Sequence, residues 1–125
     1  MNNTVFISYA QKDSEAAKSL VRKLSSRGVD AWDDCKLLPG ESWEQHVKDA
    51  LVSSRAVVLL LGEGDPSPSV LVEAGMAMGQ GKRIVPVIVA ENANLSLFPN
   101  LQRLRAVNEK EINAAADQIA TFVSN

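Results

Sequence analysis

Asp65-Pro66-Ser67-Pro68-Ser69-Val70-Leu71-Val72-Glu73-Ala74-Gly75-Met76-Ala77-Met78-Gly79-Gln80-Gly81-Lys82 is the stretch that decides how this chain folds. It follows the apolar run Arg55-Ala56-Val57-Val58-Leu59-Leu60-Leu61 and precedes a second, Arg83-Ile84-Val85-Pro86-Val87-Ile88-Val89. Asp65 or Ser67 suits a helix N-cap, because a short side-chain oxygen accepts from a free N–H of the first turn. A proline is tolerated in that turn, where its missing N–H has no partner to lose. Gly81 stands where the helix would stop, with Lys82 and Arg83 beyond it. The pattern is strand, capped helix, strand. Glu73 is the only ionisable side chain of that helix, set among Val70, Leu71, Val72, Met76 and Met78. Two readings compete. Either Glu73 faces solvent near the positive end of the helix dipole, or it is a functional carboxylate at the carboxyl edge of a parallel sheet, kept ionised by the helix N-terminus.

Outward from this stretch the same alternation continues. Thr4-Val5-Phe6-Ile7-Ser8-Tyr9 is a continuous apolar strand, which favours burial on both faces. Asp13 is placed to cap a helix whose stripe is Ala16, Ala17, Leu20, Val21 and Leu24, closed by Gly28. Val29-Asp30-Ala31-Trp32-Asp33 is a short strand of mixed composition, suited to a position nearer the sheet edge. The loop Asp34-Cys35-Lys36-Leu37-Leu38-Pro39-Gly40-Glu41 follows, with a strong turn signal at Pro39-Gly40. Ser42 is placed to cap a helix over residues 43–54, buried through Trp43, Val47, Ala50 and Leu51, with His46 beside the stripe. Beyond the strand at 83–89, Leu95, Leu97 and Phe98 are expected to fold back onto the core. Leu104-Arg105-Ala106-Val107 reads as a fifth strand, and Ile112, Ala115, Ala116, Ile119 and Phe122-Val123 recur on one face of a last helix.

Strands alternating with helices imply βαβ units and a parallel sheet covered on both faces. Right-handed crossovers leave few arrangements, and the flavodoxin-like α/β fold, a five-stranded sheet of order 2-1-3-4-5, is the expectation. Ligands bind such sheets beyond the carboxyl ends of the strands, at the switch between strands 1 and 3. Ser8-Tyr9-Ala10, Trp32-Asp33-Asp34, Gly62-Glu63-Gly64 and the start of the Glu73 helix all reach that edge. This favours the functional reading of Glu73. Gly75 and Gly79 are expected to permit close helix–sheet packing.

Composition narrows the classes. The 125 residues are enough for one packed core, read as a single domain spanning the chain. A net charge of −2 gives no electrostatic footprint for nucleic acid. A single cysteine, Cys35, excludes an internal disulfide framework and suits a reducing compartment. No apolar run approaches the roughly 20 residues of a membrane span, and no secretory signal is expected before the first strand. A cytoplasmic location without membrane or nucleic-acid contact is expected. With one His and one Cys, no metal-ligand spacing occurs.

Read together, these segments resemble the TIR (Toll/interleukin-1 receptor) domain family over almost the whole chain. Phe6-Ile7-Ser8-Tyr9 with Asp13 resembles its first box, and Trp32-Asp33-Asp34 through Leu38-Pro39-Gly40-Glu41-Ser42-Trp43 its second strand and BB loop. Glu73-Ala74-Gly75 with Gly81-Lys82 and Ile84-Val85-Pro86-Val87 resembles the bacterial branch. The resemblance implies the same fold. It also implies an activity, since many bacterial members cleave the nicotinamide–ribose bond of NAD and some cyclise the product. Glu73 occupies the place of their essential glutamate. Catalytic bacterial members often carry Trp four residues earlier, where this chain has Ser69, so an aromatic wall would come from Trp32, Tyr9, Trp43 or a neighbouring subunit.

The chemistry needs little machinery. Nicotinamide in NAD is already a cationic leaving group, and the transition state resembles an oxocarbenium ion. One carboxylate near the ribose can stabilise that charge. The resemblance therefore assigns Glu73 as catalytic, with substrate contacts from Ser8, Tyr9, Ala10, Asp13, Trp32, Asp33, Cys35 and Ser69. NAD enters as substrate, and no cofactor is expected. Leu37, Leu38, Pro39, Gly40 and Glu41 of the BB loop are expected to dock on another TIR domain. The implied role is an effector module of a longer protein, joined to a sensor domain or partner protein in bacterial antiphage defence. Two other functions remain open. One is a non-catalytic TIR scaffold that signals by self-association. The other is a nucleoside deoxyribosyltransferase, which shares the Glu-x-Gly and Gly-Lys spacing but lacks the Trp-Asp-Asp to Pro-Gly-Glu loop.

Overall fold

A computed structural model describes residues 3–33, 43–99 and 101–124, without the side chains of Trp43 and Glu44. The strands are β1 (Thr4–Ser8), β2 (Asp30–Trp32), β3 (Ala56–Leu61), β4 (Arg83–Ile88) and β5 (Leu104–Arg105). The helices are α1 (Ser14–Ser25), α2 (Trp43–Ser53), α3 (Pro68–Gly79) and α4 (Glu109–Ser124). All pairings are parallel, in the order β2-β1-β3-β4-β5. This is the flavodoxin-like order, with the expected switch between β1 and β3.

Strand alternation explains the two layers of the core, because successive side chains leave opposite faces of a sheet. Val5, Ile7, Val58 and Leu60 pack with Leu20, Leu24, Ala116 and Ile119 beneath α1 and α4. Phe6, Val57, Leu59 and Leu61 pack with Val47, Leu51, Val70 and Ala74 beneath α2 and α3. Every residue of β3 is buried, as a strand covered on both sides requires. Ser8 shares the parity of Phe6 and so looks towards the α2–α3 layer. That parity places the site.

Several elements are shorter than the sequence suggests. The second strand keeps only Asp30–Trp32 and the fifth only Leu104–Arg105. The fifth pairs solely with Val87 and Ile88. Val89 N–H donates to Leu61 while Ala106 N–H donates to Ile88, so Ile88 and, by alternation, Pro86 point to the β5 side. Pro86 thus loses no ladder bond to β3, the condition under which a strand tolerates proline. Phe98 and Leu95 fold onto the core as expected, whereas Leu97 is exposed.

Packing also corrects the reading of Gly75 and Gly79. Both lie on the outer side of α3, and a Cβ at either would meet nothing within 4 Å. They are not there for close helix–sheet contact. Gly81, by contrast, has φ +70°, the left-handed conformation that ends α3. Lys82 beyond it turns its ammonium onto the carbonyls of Val52 and Ser54, 2.9 and 2.7 Å away, satisfying free acceptors at the end of α2.

Candidate active site

The site is built where α3 meets the carboxyl end of β1. Ser67 caps α3, its hydroxyl accepting from Val70 N–H at 3.3 Å, with Pro68 in the first turn. The inward stripe of the helix is then Val70, Glu73, Ala74 and Ala77. Glu73 occupies a core position and is 1% exposed, so it does not face solvent. It lies in the second turn, beyond the reach of the helix-terminal charge. The N-terminus is therefore not what steadies its carboxylate. Ser8, also 1% exposed, donates its hydroxyl to Glu73 Oε1 at 2.5 Å. A buried carboxylate without donors is strongly disfavoured, and this bond ties α3 to β1 across the switch point.

Asp13 stands beside the same edge. It occupies the N-cap position of α1, yet its side chain makes no cap hydrogen bond. The carboxylate is turned instead against Gly62, the residue following β3, where a Cβ would overlap it. Burial pushes the Asp13 carboxyl above its ordinary pKa, opposed by the charge of Lys12. Lys12 itself donates to the Glu63 carbonyl, which fastens the first βα loop to the third.

Tyr9, Trp32 and Asp33 lie together at β2. Tyr9 donates its hydroxyl to Asp33 at 3.3 Å. The Trp32 ring stacks on Phe6, with centroids 4.9 Å apart and planes 25° apart. His46 of α2 lies 5.3 Å from the Trp32 ring. The indole is thus part of the α2–sheet packing, a neighbour relation with His46 that a stripe count cannot show. Ala10 is half-buried, and its carbonyl accepts from Asp13 N–H at 2.8 Å. Ser69 is exposed on the first turn of α3, 3.2 Å from the Ser67 hydroxyl. Cys35, Leu37, Leu38, Pro39, Gly40 and Glu41 lie outside the described residues, as do the Ser42 cap and the Trp43 side chain.

Sequence reasoning missed the Asp13–Gly62 contact and the Lys12–Glu63 bond. Gly62, directly after β3, was the signal of the first. A cavity of about 750 Å³ opens elsewhere, between Arg83 at the start of β4, Leu104 and Phe122. It is at the amino half of the sheet, away from Glu73. Among the described residues no group of three or more His, Cys, Asp or Glu is arranged to hold a metal ion. Among them, no helix is long and apolar enough to cross a membrane.

A family model described as TIR domain matches residues 5–120. No curated protein sequence matches the chain. Among solved structures, the TIR domain of the Toll-related receptor TRR-2 from Hydra magnipapillata superimposes with a TM-score of 0.75 at 18% identity, covering 97% of this chain and 98% of that one. A CMP N-glycosidase from Clostridium botulinum, BcmB, gives 0.68 at 21% identity, covering 92% and 98%. A 2-desoxiribosyltransferase from Leishmania mexicana gives 0.67 at 15% identity, covering 98% of each chain. At these identities the likeness is one of fold, and function has to be argued from the site.

Proposed function

The chain belongs to the TIR domain family, and from that premise we propose that it cleaves the bond between nicotinamide and ribose in NAD. The observation that supports this reading is the buried Glu73 carboxylate bonded to Ser8 at the β1–β3 switch. Nicotinamide leaves as a neutral ring, taking the electron pair of the C1′–N bond. The positive charge left on C1′ and the ring oxygen is stabilised by the nearby carboxylate. Water then adds to C1′ and releases a proton, giving ADP-ribose. Attack by a ring nitrogen of the adenine instead would close a cyclic isomer. The Ser8 bond fixes one carboxylate oxygen of Glu73 at the switch, which limits the reorganisation needed as charge develops.

Activity is proposed to depend on self-association with other TIR domains, the chain acting as an effector module beside a sensor domain or partner in antiphage defence. The outer side of α3, with Leu71, Val72 and Met78 exposed and no charged residue, suits association. The test is NAD consumption by the purified chain, free and crowded on beads, beside Glu73→Gln. Turnover that rises with density and vanishes in folded Glu73→Gln is expected. Absence of turnover at every density refutes the enzyme and favours the scaffold. Base exchange on deoxynucleosides without NAD loss would favour the transferase.

A further inference from the structure

The cavity beside β4 lies where β5 stops short. β5 pairs with no residue before Val87, so the outer edge of β4 is bare from Arg83 to Pro86. By the alternation that turns Pro86 and Ile88 towards β5, the N–H and C=O of Ile84 face the same way. Ile84 lines the cavity, and neither group is paired in the sheet or to a loop among the described residues. Main-chain polar groups are nearly always paired, with water where nothing else reaches them. This donor and acceptor are therefore free to exchange water for a ligand.

Apolar walls close on that edge from both sides of the sheet. Phe98 and Leu101 belong to the α3 side, Ile119 and Phe122 to the α4 side. The slot between them is the place a longer β5 would fill. The Arg83 side chain is exposed beside it, its guanidinium 4.0 Å from the centre of the Phe122 ring. Arg83 and Phe122 also line an adjoining hollow with Arg55 and Asp117. Asp117 is neutralised by Arg27 at 2.5 Å, whereas neither Arg55 nor Arg83 has a carboxylate partner among the described residues. Lys82, the other cation of the cavity, is taken by the Val52 and Ser54 carbonyls.

We propose that this cavity is a nucleotide-binding site, separate from the Glu73 edge and independent of whether Glu73 cleaves NAD. The flat base of a nucleoside monophosphate enters between the two apolar walls and pairs its donor–acceptor edge with Ile84. Its phosphate stays at the mouth with Arg83 and Arg55, where guanidinium forks match phosphate oxygens. A volume of about 750 Å³ is that of a small-molecule site. An added peptide strand fits worse, because Pro86 brings no N–H and Ile84 alone offers one donor and one acceptor.

The experiment adds adenosine monophosphate (AMP), adenosine or inorganic phosphate to the purified chain and follows amide NMR and calorimetry. AMP is expected to move the Ile84 amide and to leave those of Ser8 and Glu73 in place. Adenosine should bind at least about tenfold more weakly, as loss of hydrogen bonds to charged groups implies, and phosphate alone more weakly still. Arg83→Gln and Arg55→Gln should each weaken AMP about tenfold yet leave adenosine unchanged, a contrast that a folding defect does not produce. No binding at millimolar AMP, or phosphate binding as tightly as AMP, overturns the proposal. So do shifts confined to Ser8 and Glu73. An Ile84 amide that moves with protein concentration and not with AMP means that a second copy fills the cavity, and overturns it as well.

Discussion

Replacing Ser8 by alanine removes one oxygen from the core and leaves the Glu73 carboxylate, 1% exposed, without its 2.5 Å donor. A hydrogen bond to a charged group contributes about 1.5–3 kcal/mol. Losing it should lower the unfolding midpoint by roughly 6–10 °C for a change of about 2 kcal/mol in a chain of this size. Little of the cost comes from packing, because Ala fills nearly the same volume. The decisive assay is a double-mutant cycle by urea unfolding with Glu73→Leu. Taking away both partners together removes the buried polar pair, so the double variant should be at least as stable as either single one. The coupling should be about 1.5 kcal/mol or more, while NAD turnover is lost in both Glu73→Leu backgrounds. Should Ser8→Ala cost the same with Leu at position 73 as with Glu, the bond between β1 and α3 is not what holds the site, and the reasoning fails.

Two further outcomes follow from the packing. Gly75→Ala should stabilise the chain by about 0.5–1 kcal/mol, because a helical glycine is replaced where a Cβ meets nothing; a lower midpoint in urea would show that the outer side of α3 is occupied. Glu109 of α4 accepts from Lys23 at 2.7 Å and from Ser19 of α1, the first of these the larger cause of its lowered pKa. A lowered folded value means that its contribution is present above the ordinary carboxylate range and lost as pH falls through the folded value. Midpoints measured from neutral to acid pH should therefore converge for wild type and Glu109→Gln, with the wild type higher at neutral pH.

The layered fold was legible because buried strands and amphipathic helices write different periods into the sequence. β3 is apolar at every position, and α4 repeats its small and branched residues at helical spacing, so the strand's extent and the helix's buried face both follow from the sequence. Short edge strands were not. β5 keeps two residues because its partner edge, not its own composition, limits pairing. Asp13 looked like a cap because local sequence cannot tell a carboxylate bonded to its own helix from one turned onto a loop some fifty residues away.

Glu73 marks the boundary most clearly. Sequence alone singled it out, as the one charge in an apolar helix at the carboxyl edge of a parallel sheet, and matched it to a family glutamate. It could not say which way the side chain points. A helix apolar nearly all round carries no contrast between faces, so its rotation is chosen by what it packs against. Only the tertiary structure turned Val70, Glu73, Ala74 and Ala77 inward and left Leu71, Val72, Gly75 and Met78 outside. A partner that steadies the buried carboxylate, Ser8, is 65 residues away, on a strand that meets α3 only because β1 and β3 lie side by side.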